Sequence, residues 1–151
     1  MKNKKNKILI MNIGSTENII QFNFITNLIR EINLQIDICL ATSENNKYNN
    51  ESILKTHIYP IINKQDIFIK RLFYELKFIF SIKKEKYKIA IVINQSNKNI
   101  IIAKYAKIKN IIGYKTNNKK INNLITHKIL PNSDKSIENQ IIEALKCVKN
   151  I

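Results

Sequence analysis

Glycine, proline and cysteine are scarce, two of each in 151 residues, and tryptophan is absent. With only Gly14 and Gly113, the chain has neither a Gly-x-Gly-x-x-Gly fingerprint nor a Walker loop, so a backbone cradle for nucleotide phosphates is not expected. A Ser-His-Asp hydrolase would need an elbow flanked by glycines, which is also missing. Cys39 and Cys147 stand far apart at no metal or redox spacing, and His57 and His127 pair with neither of them. No metal site is expected. Both cysteines read as free thiols, Cys39 as a small core residue on a strand.

Acidic residues are few, 11 against 26 basic ones, for a formal net charge of +15. Such a balance ordinarily points to nucleic acid, anionic lipid or a phosphorylated ligand. Here every basic side chain is a lysine except Arg30 and Arg71, and lysine offers a point charge rather than the bidentate fork that reads base edges. Lysine, isoleucine and asparagine are inflated together, as A/T-rich codons would impose on any protein. Stacking aromatics and a recognition helix are lacking as well, so no DNA or RNA partner is expected. Long apolar runs are also missing. The lysine-rich start leads into an apolar run too short for a signal peptide, and residues 67–82 are interrupted by Lys70, Arg71, Glu75 and Lys77, which prevents them from spanning a bilayer. A cytoplasmic protein is expected, with at most peripheral contact with a membrane surface.

What remains is a chain 44% hydrophobic, enough for one core, and a single domain over residues 1–151 is expected. Residues 8–11 form an apolar strand and residues 12–17 a polar turn. Ile25, Leu28, Ile29 and Ile32 then fall at i, i+3, i+4, i+7, one face of a helix. A second strand is expected over 35–41, a polar stretch with a loop and a short helix over 42–52, and a third strand over 57–62, where Pro60 marks an edge or a strand end. Next comes the strongest helical pattern, with Ile69, Leu72, Phe73, Leu76 and Phe80 as a continuous apolar stripe and lysines 83, 84 and 86 at its C-terminal end. Residues 87–93 are an almost unbroken apolar run, the signature of a central strand buried on both faces. Ser96 is placed to cap a helix in which Ile101, Tyr105 and Ile108 keep the helical spacing. A short strand over 110–114, a basic loop over 115–123 and a last helix from Ser136 follow, the last with Ile137, Ile141, Ala144, Leu145 and Val148 inward. This alternation predicts an α/β fold with a Rossmann-like doubly wound parallel sheet, in which ligands gather at the carboxyl ends of strands and the N-termini of helices.

Several of these segments, in this order, resemble the N-terminal domain of glycosyltransferase family 9, the ADP-heptose:lipopolysaccharide heptosyltransferases. The matching pieces are residues 7–20, residues 85–96 (Glu-Lys-Tyr-Lys-Ile-Ala-Ile-Val-Ile-Asn-Gln-Ser), Ile111-Ile-Gly-Tyr114, and Thr126-His127 before the last helix. Together they cover nearly the whole chain. The resemblance implies the N-terminal half of a GT-B enzyme, the half that binds a lipopolysaccharide inner-core acceptor, working in the cytoplasm at the inner face of the inner membrane. It also implies that the chain stops at Ile151 near the crossing to the second half, so that the C-terminal nucleotide-sugar domain is absent. No cofactor is then held by this chain. ADP-heptose or a similar nucleotide sugar would be the donor of a complete enzyme, and a separate donor-domain chain is a possible partner.

Two departures from the family pattern stand out. Family members carry Gly-Asp at the first helix start, the Asp being the general base; the aligned positions here are Glu17 and Asn18. An amide cannot take up a proton, and general-base assistance is typically worth ~10²–10⁴-fold in rate. Asn18 keeps the capacity to bind a sugar hydroxyl or to cap the helix, while Glu17, the alternative base, projects about 100° away from its neighbour. The family's Asp-Leu-Gln-Gly after the buried strand becomes Asn94, Gln95 and Ser96, which leaves Gln95 as an acceptor contact. By the same resemblance Lys64, after the third strand, and Lys119 or Lys120, after the Gly-Tyr segment, are the cationic acceptor-binding positions. His127 reads as a packing or hydrogen-bonding residue at a strand start. Lys135-Ser-Ile-Glu138 keeps only the acid of the family's His-x-x-Glu. Three functions therefore compete: half of a glycosyltransferase or its remnant, a non-catalytic module that binds anionic sugars, and, less favoured, a basic nucleic-acid-binding domain.

Overall fold

A computed structural model describes residues 7–13, 19–32, 37–42, 53–60 and 67–148. In chain order these form β1 (Lys7–Asn12), α1 (Ile19–Ile32), β2 (Asp37–Thr42), β3 (Ile53–Ile58), α2 (Phe68–Glu85), β4 (Ile89–Val92), α3 (Asn97–Tyr105), β5 (Asn110–Tyr114), α4 (Lys119–Asn122), β6 (His127–Ile129) and α5 (Ile137–Val148). The six strands make one sheet in the order β3-β2-β1-β4-β5-β6. Every pairing is parallel. The expected doubly wound α/β architecture is therefore present, with its topological switch between β1 and β4.

The sheet forms here because its middle strands have nothing polar to expose. Ile8, Leu9, Ile10 and Met11 of β1 and Ala90, Ile91 and Val92 of β4 are all fully buried. Since successive strand side chains point to opposite faces, Leu9, Met11, Ala90 and Val92 enter one core, closed by Phe78 and Ile82 of α2 and by Ile100, Ile102 and Ala103 of α3. Ile8, Ile10, Ile89 and Ile91 enter the other, closed by Ile25, Leu28 and Ile29 of α1 and by Ile141, Ala144 and Leu145 of α5. Three layers result, and β4 is central as its apolar run predicts.

Several elements differ from the sequence expectation. β3 lies at residues 53–58 rather than 57–62. It is an edge strand, so polar Lys55 and Thr56 are tolerated, and Pro60, which has no N–H to donate, falls beyond its end. The expected loop over 115–123 contains the one-turn helix α4, because Asn118 accepts hydrogen bonds from the backbone N–H groups of Lys120 and Ile121 and so caps it. Ser96 occupies the N-cap position of α3 without a side-chain capping bond. Within α3 the buried residues are Asn99, Ile100, Ile102 and Ala103, whereas Tyr105 is exposed; Lys107 then takes a left-handed φ of 62°, and the buried Ile108 lies past the helix. The side chains of Ile32, Cys39 and Val148, and the polar stretch over 43–52, lie outside the described residues.

The largest difference is in α2. The predicted stripe of Ile69, Leu72, Phe73, Leu76 and Phe80 faces outward, and Phe78 and Ile82 seal the core instead. Polar ties set this rotation. Glu75 accepts from Tyr59 Oη at 2.8 Å, Ser81 Oγ lies 3.2 Å from His57 Nδ1, and Glu85 forms ion pairs with Lys7 and Lys55. At about 100° per residue, Glu75, Phe78, Ser81, Ile82 and Glu85 fall on one side of the helix, so the polar ties and the buried pair choose the same face.

Two tests follow from this packing. Ile82→Ala empties a fully buried position and is expected to cost about 2–5 kcal/mol in urea unfolding, whereas Phe80→Ala on the outer face should leave stability within about 0.5 kcal/mol. The second concerns pH. Burial, reinforced by the nearby Lys55 charge, holds the His57 imidazole below its ordinary value, and its Nε2 lies 2.7 Å from Tyr87 Oη. The unfolded chain therefore takes up the proton first, so the contribution of His57 is complete above about pH 6.5 and declines as pH falls toward the lower folded value. His57→Gln should flatten unfolding free energy across that window. Its acid counterpart is Glu85, whose carboxyl is drawn down to about 2 by hydrogen bonds from Lys55 and Lys7, and whose contribution disappears only below about pH 4.5.

Candidate functional site

The carboxyl ends of β1 and β4, where the winding direction reverses, meet in a set of amides. Asn12 ends β1 and is buried; Asn94 follows β4; Asn99 lies buried in α3. Asn94 Nδ2 donates to the Ile13 carbonyl at 3.1 Å and toward Asn12 Oδ1 at 3.5 Å. Asn99 Nδ2 donates to Asn94 Oδ1 at 2.6 Å and to the Ile13 carbonyl at 3.3 Å. Two buried atoms of this trio, Asn12 Nδ2 and Asn99 Oδ1, have no hydrogen-bond partner among the described residues. Amides of this kind orient hydroxyls and carbonyls but do not carry protons.

Beside the trio lies an open polar cavity of about 690 Å³, lined by Gln95 and Asn97 from the β4–α3 turn and by Lys115, Thr116, Asn117, Asn118 and Lys119 from the β5–α4 connection. That connection is stitched to itself. Asn122 Oδ1 accepts from the Thr116 N–H at 2.8 Å and its Nδ2 donates to the Thr116 carbonyl at 2.6 Å, while the Lys115 N–H donates to the Ile129 carbonyl at 3.0 Å. The lining offers two ammonium groups, several amides and a hydroxyl. Among the described residues the lining contains no carboxylate, imidazole or thiol, and it suits a hydroxyl-rich anionic ligand.

Two of the predicted binding positions, Gln95 and Lys119, meet in this cavity. Lys120, its neighbour on α4, is exposed and does not line it. Glu17, Asn18 and Lys64 lie outside the described residues. Asn97, Lys115, Thr116, Asn117 and Asn118 were missed by sequence reasoning; the usable signal was Asn118, an N-cap type of residue in front of an apolar-containing turn. His127 begins β6 and contacts Thr126 Oγ1 at 3.1 Å. Thr126 in turn bonds both the N–H and the carbonyl of Ile111. The Thr126-His127 pair thus ties β6 to β5, as a strand-start role requires. Glu138, in the first turn of α5, is held below the usual carboxylate range by its own backbone N–H and then by Ser136.

A second polar cluster links β3, α2 and α3. Lys98 Nζ lies 2.6 Å from Tyr59 Oη and 3.0 Å from Glu75 Oε1. Burial raises the Tyr59 phenol and opposes ionisation of Glu75, but hydrogen bonds from Lys98 and Tyr59 prevail and hold the Glu75 carboxyl below its ordinary value. Cation, carboxylate and phenol satisfy one another, which makes the cluster a clamp between helices. Among the described residues, no group of three or more His, Cys, Asp or Glu side chains is arranged to hold a metal ion.

No protein-family model matches the sequence, and no curated protein matches it by sequence comparison. Solved structures match its fold. The glycosyl transferase family 9 structure from Veillonella parvula DSM 2008 superposes with a TM-score of 0.69 at 12% identity, covering 99% of this chain and 43% of that one. E. coli ADP-heptose LPS heptosyltransferase II gives 0.66 at 14% identity, over 91% of this chain and 40% of that one. E. coli heptosyltransferase WaaC with ADP-2-deoxy-2-fluoro heptose gives 0.69 at 10% identity, over 95% of this chain and 48% of that one. The chain thus spans less than half the length of these structures and has, over nearly all of its own length, the Rossmann-like fold of the N-terminal half of a GT-B heptosyltransferase.

Proposed function

We propose that this chain is the acceptor-binding half of a heptosyltransferase-like glycosyltransferase of lipopolysaccharide core synthesis, inactive on its own. The observation that carries the reading is the lysine- and amide-lined cavity at the sheet's carboxyl edge, within a fold that matches less than half the length of each heptosyltransferase-type structure. Its ammonium groups suit the carboxylates and phosphates of an inner-core sugar, and Gln95 and the asparagines suit its hydroxyls. ADP-heptose or a related nucleotide sugar would be bound by a second Rossmann-like half, supplied by a separate chain, at the cytoplasmic face of the inner membrane. Transfer needs a proton acceptor for the attacking hydroxyl, and the family's base position is Asn18. A non-catalytic sugar-binding module is the second reading, supported by a cavity whose described lining is amide, hydroxyl and ammonium.

A transfer assay with ADP-heptose and a Kdo-bearing lipid A acceptor separates the two. Transfer is expected only when a donor half is added, and Asn18→Asp should then raise the rate by about 10²-fold or more. Acceptor binding without transfer in every mixture, Asn18→Asp included, would establish the binding module and sink the enzyme reading. Binding itself can be measured on the chain alone. Gln95→Ala with Lys119→Gln should weaken acceptor affinity by about tenfold or more, whereas Lys120→Gln should leave it unchanged. Equal losses from Lys119→Gln and Lys120→Gln would remove the cavity from the proposal.

A further inference from the structure

The outward face of α2 is more apolar than the face that seals the core. Ile67, just before the helix, and Phe68, Ile69, Phe73 and Phe80 are each 61–75% exposed, and Leu72 and Leu76 are 45% exposed. The surface continues across an open groove of about 710 Å³ toward α3, where Ile101 and the exposed Tyr105 extend it. Contiguous apolar surface of this kind marks an interaction site rather than ordinary surface scatter.

The charges beside this face indicate what it meets. Lys70, Lys77 and Lys84 are all exposed and recur every seven residues, which places them on one row along a helix about 27 Å long. Lys83 Nζ stands 5.4 Å from the Phe80 ring centre and Lys70 Nζ 5.9 Å from that of Tyr74, so the lysine stems lie against aromatic rings, as in side chains that snorkel from an apolar layer to a charged one. The acids of α2 are paired, Glu75 at the groove wall with Lys98, and Glu85 on the inner side with Lys7 and Lys55. Among the described residues the outer surface is therefore apolar with a lysine-rich flank, on a protein of net charge +15. A second copy of the chain would bring two lysine rows together. Nucleic acid would leave the phenylalanines and isoleucines in water.

We propose that the outer face of α2 docks the protein onto an anionic lipid bilayer, the helix lying in the plane of the interface with its apolar row in the headgroup–acyl boundary and its lysines on lipid phosphates. No helix among the described residues is long and apolar enough to cross the membrane, which fits attachment at the surface. Docking needs neither the sugar cavity nor any transfer, so its failure and that of the acceptor-site reading are separately visible.

The test is vesicle flotation of the full chain with phosphatidylglycerol/phosphatidylethanolamine liposomes and with phosphatidylcholine liposomes. The protein should float with the anionic vesicles, lose that partitioning as salt is raised, and stay unbound from phosphatidylcholine. Lys70→Gln with Lys77→Gln and Lys84→Gln should lower partitioning by about 100-fold. Phe73→Ser with Phe80→Ser should abolish it while leaving the circular dichroism spectrum unchanged, since both residues are exposed. Wild-type protein that ignores anionic vesicles, or variants that bind as well as wild type, would overturn the proposal. So would a dimer in sedimentation that Phe73→Ser/Phe80→Ser dissolves without any vesicle binding, which would assign the face to a second copy.

Discussion

Parallel pairing of β1 with β4 is the constraint on which the rest of the molecule depends. A parallel pair cannot be closed by a hairpin, so each strand must be reached through a crossover, and the crossovers lay helices over both faces of the sheet. Register from Ile8 opposite Ile89 to Met11 opposite Val92 aligns two runs of apolar side chains that no solvent-facing strand could carry. Once these strands sit together, α1 and α5 must cover one side and α2 and α3 the other. The chain must also leave a crevice where it stops winding one way and starts the other. The amide trio sits in that crevice, and the polar cavity opens beside it.

How α2 meets the sheet shows that burial does not simply follow hydrophobic content. The helix has two apolar faces, and the larger one points out. Phe78 and Ile82 fit between α3 and the sheet, and the same side of the helix carries the groups that find partners there: Glu85 with Lys7 and Lys55, Ser81 with His57, Glu75 with Tyr59 and Lys98. Rotating the helix to bury Phe73 and Phe80 would pull these carboxylates away from their lysines, take Glu75 from Tyr59 and leave the buried His57 without Ser81, and unmet buried polar groups cost about 1–3 kcal/mol each. Apolar area left outside is the consequence, and it is tolerable where another surface covers it.

The fold was legible in the sequence because its main signals are one-dimensional. The run from Tyr87 to Ile93 could only be an interior strand, the spacing of Ile25, Leu28 and Ile29 could only be one helix face, and Pro60 could only sit at or beyond an edge. Where a second dimension decides, the sequence misled. Periodicity identified α2 as amphipathic, but which of its stripes turns inward depends on Glu75, Ser81 and Glu85 finding partners on β1, β3 and α3. The cavity was half legible. Gln95 and Lys119 follow from the chain's resemblance to family 9, whereas Asn97 and residues 115–118 belong to it only because α4 forms, and α4 forms through the Asn118 cap and the Asn122–Thr116 bonds, which carry no hydrophobic period at all.

Asn94 is bound into the surrounding structure as an amide. The Asn94 amide nitrogen points at two acceptors, the Ile13 carbonyl and Asn12 Oδ1, while its oxygen receives the Asn99 amide. A carboxylate in the same place would keep the bond from Asn99 but set its second oxygen against both acceptors, so it would have to hold a proton or move. Asn12 and Asn99 in turn have one amide atom each left over, beside a cavity whose own lining is amide and ammonium. The crevice is thus consistent throughout with holding a polar ligand by neutral hydrogen bonds and positive charge.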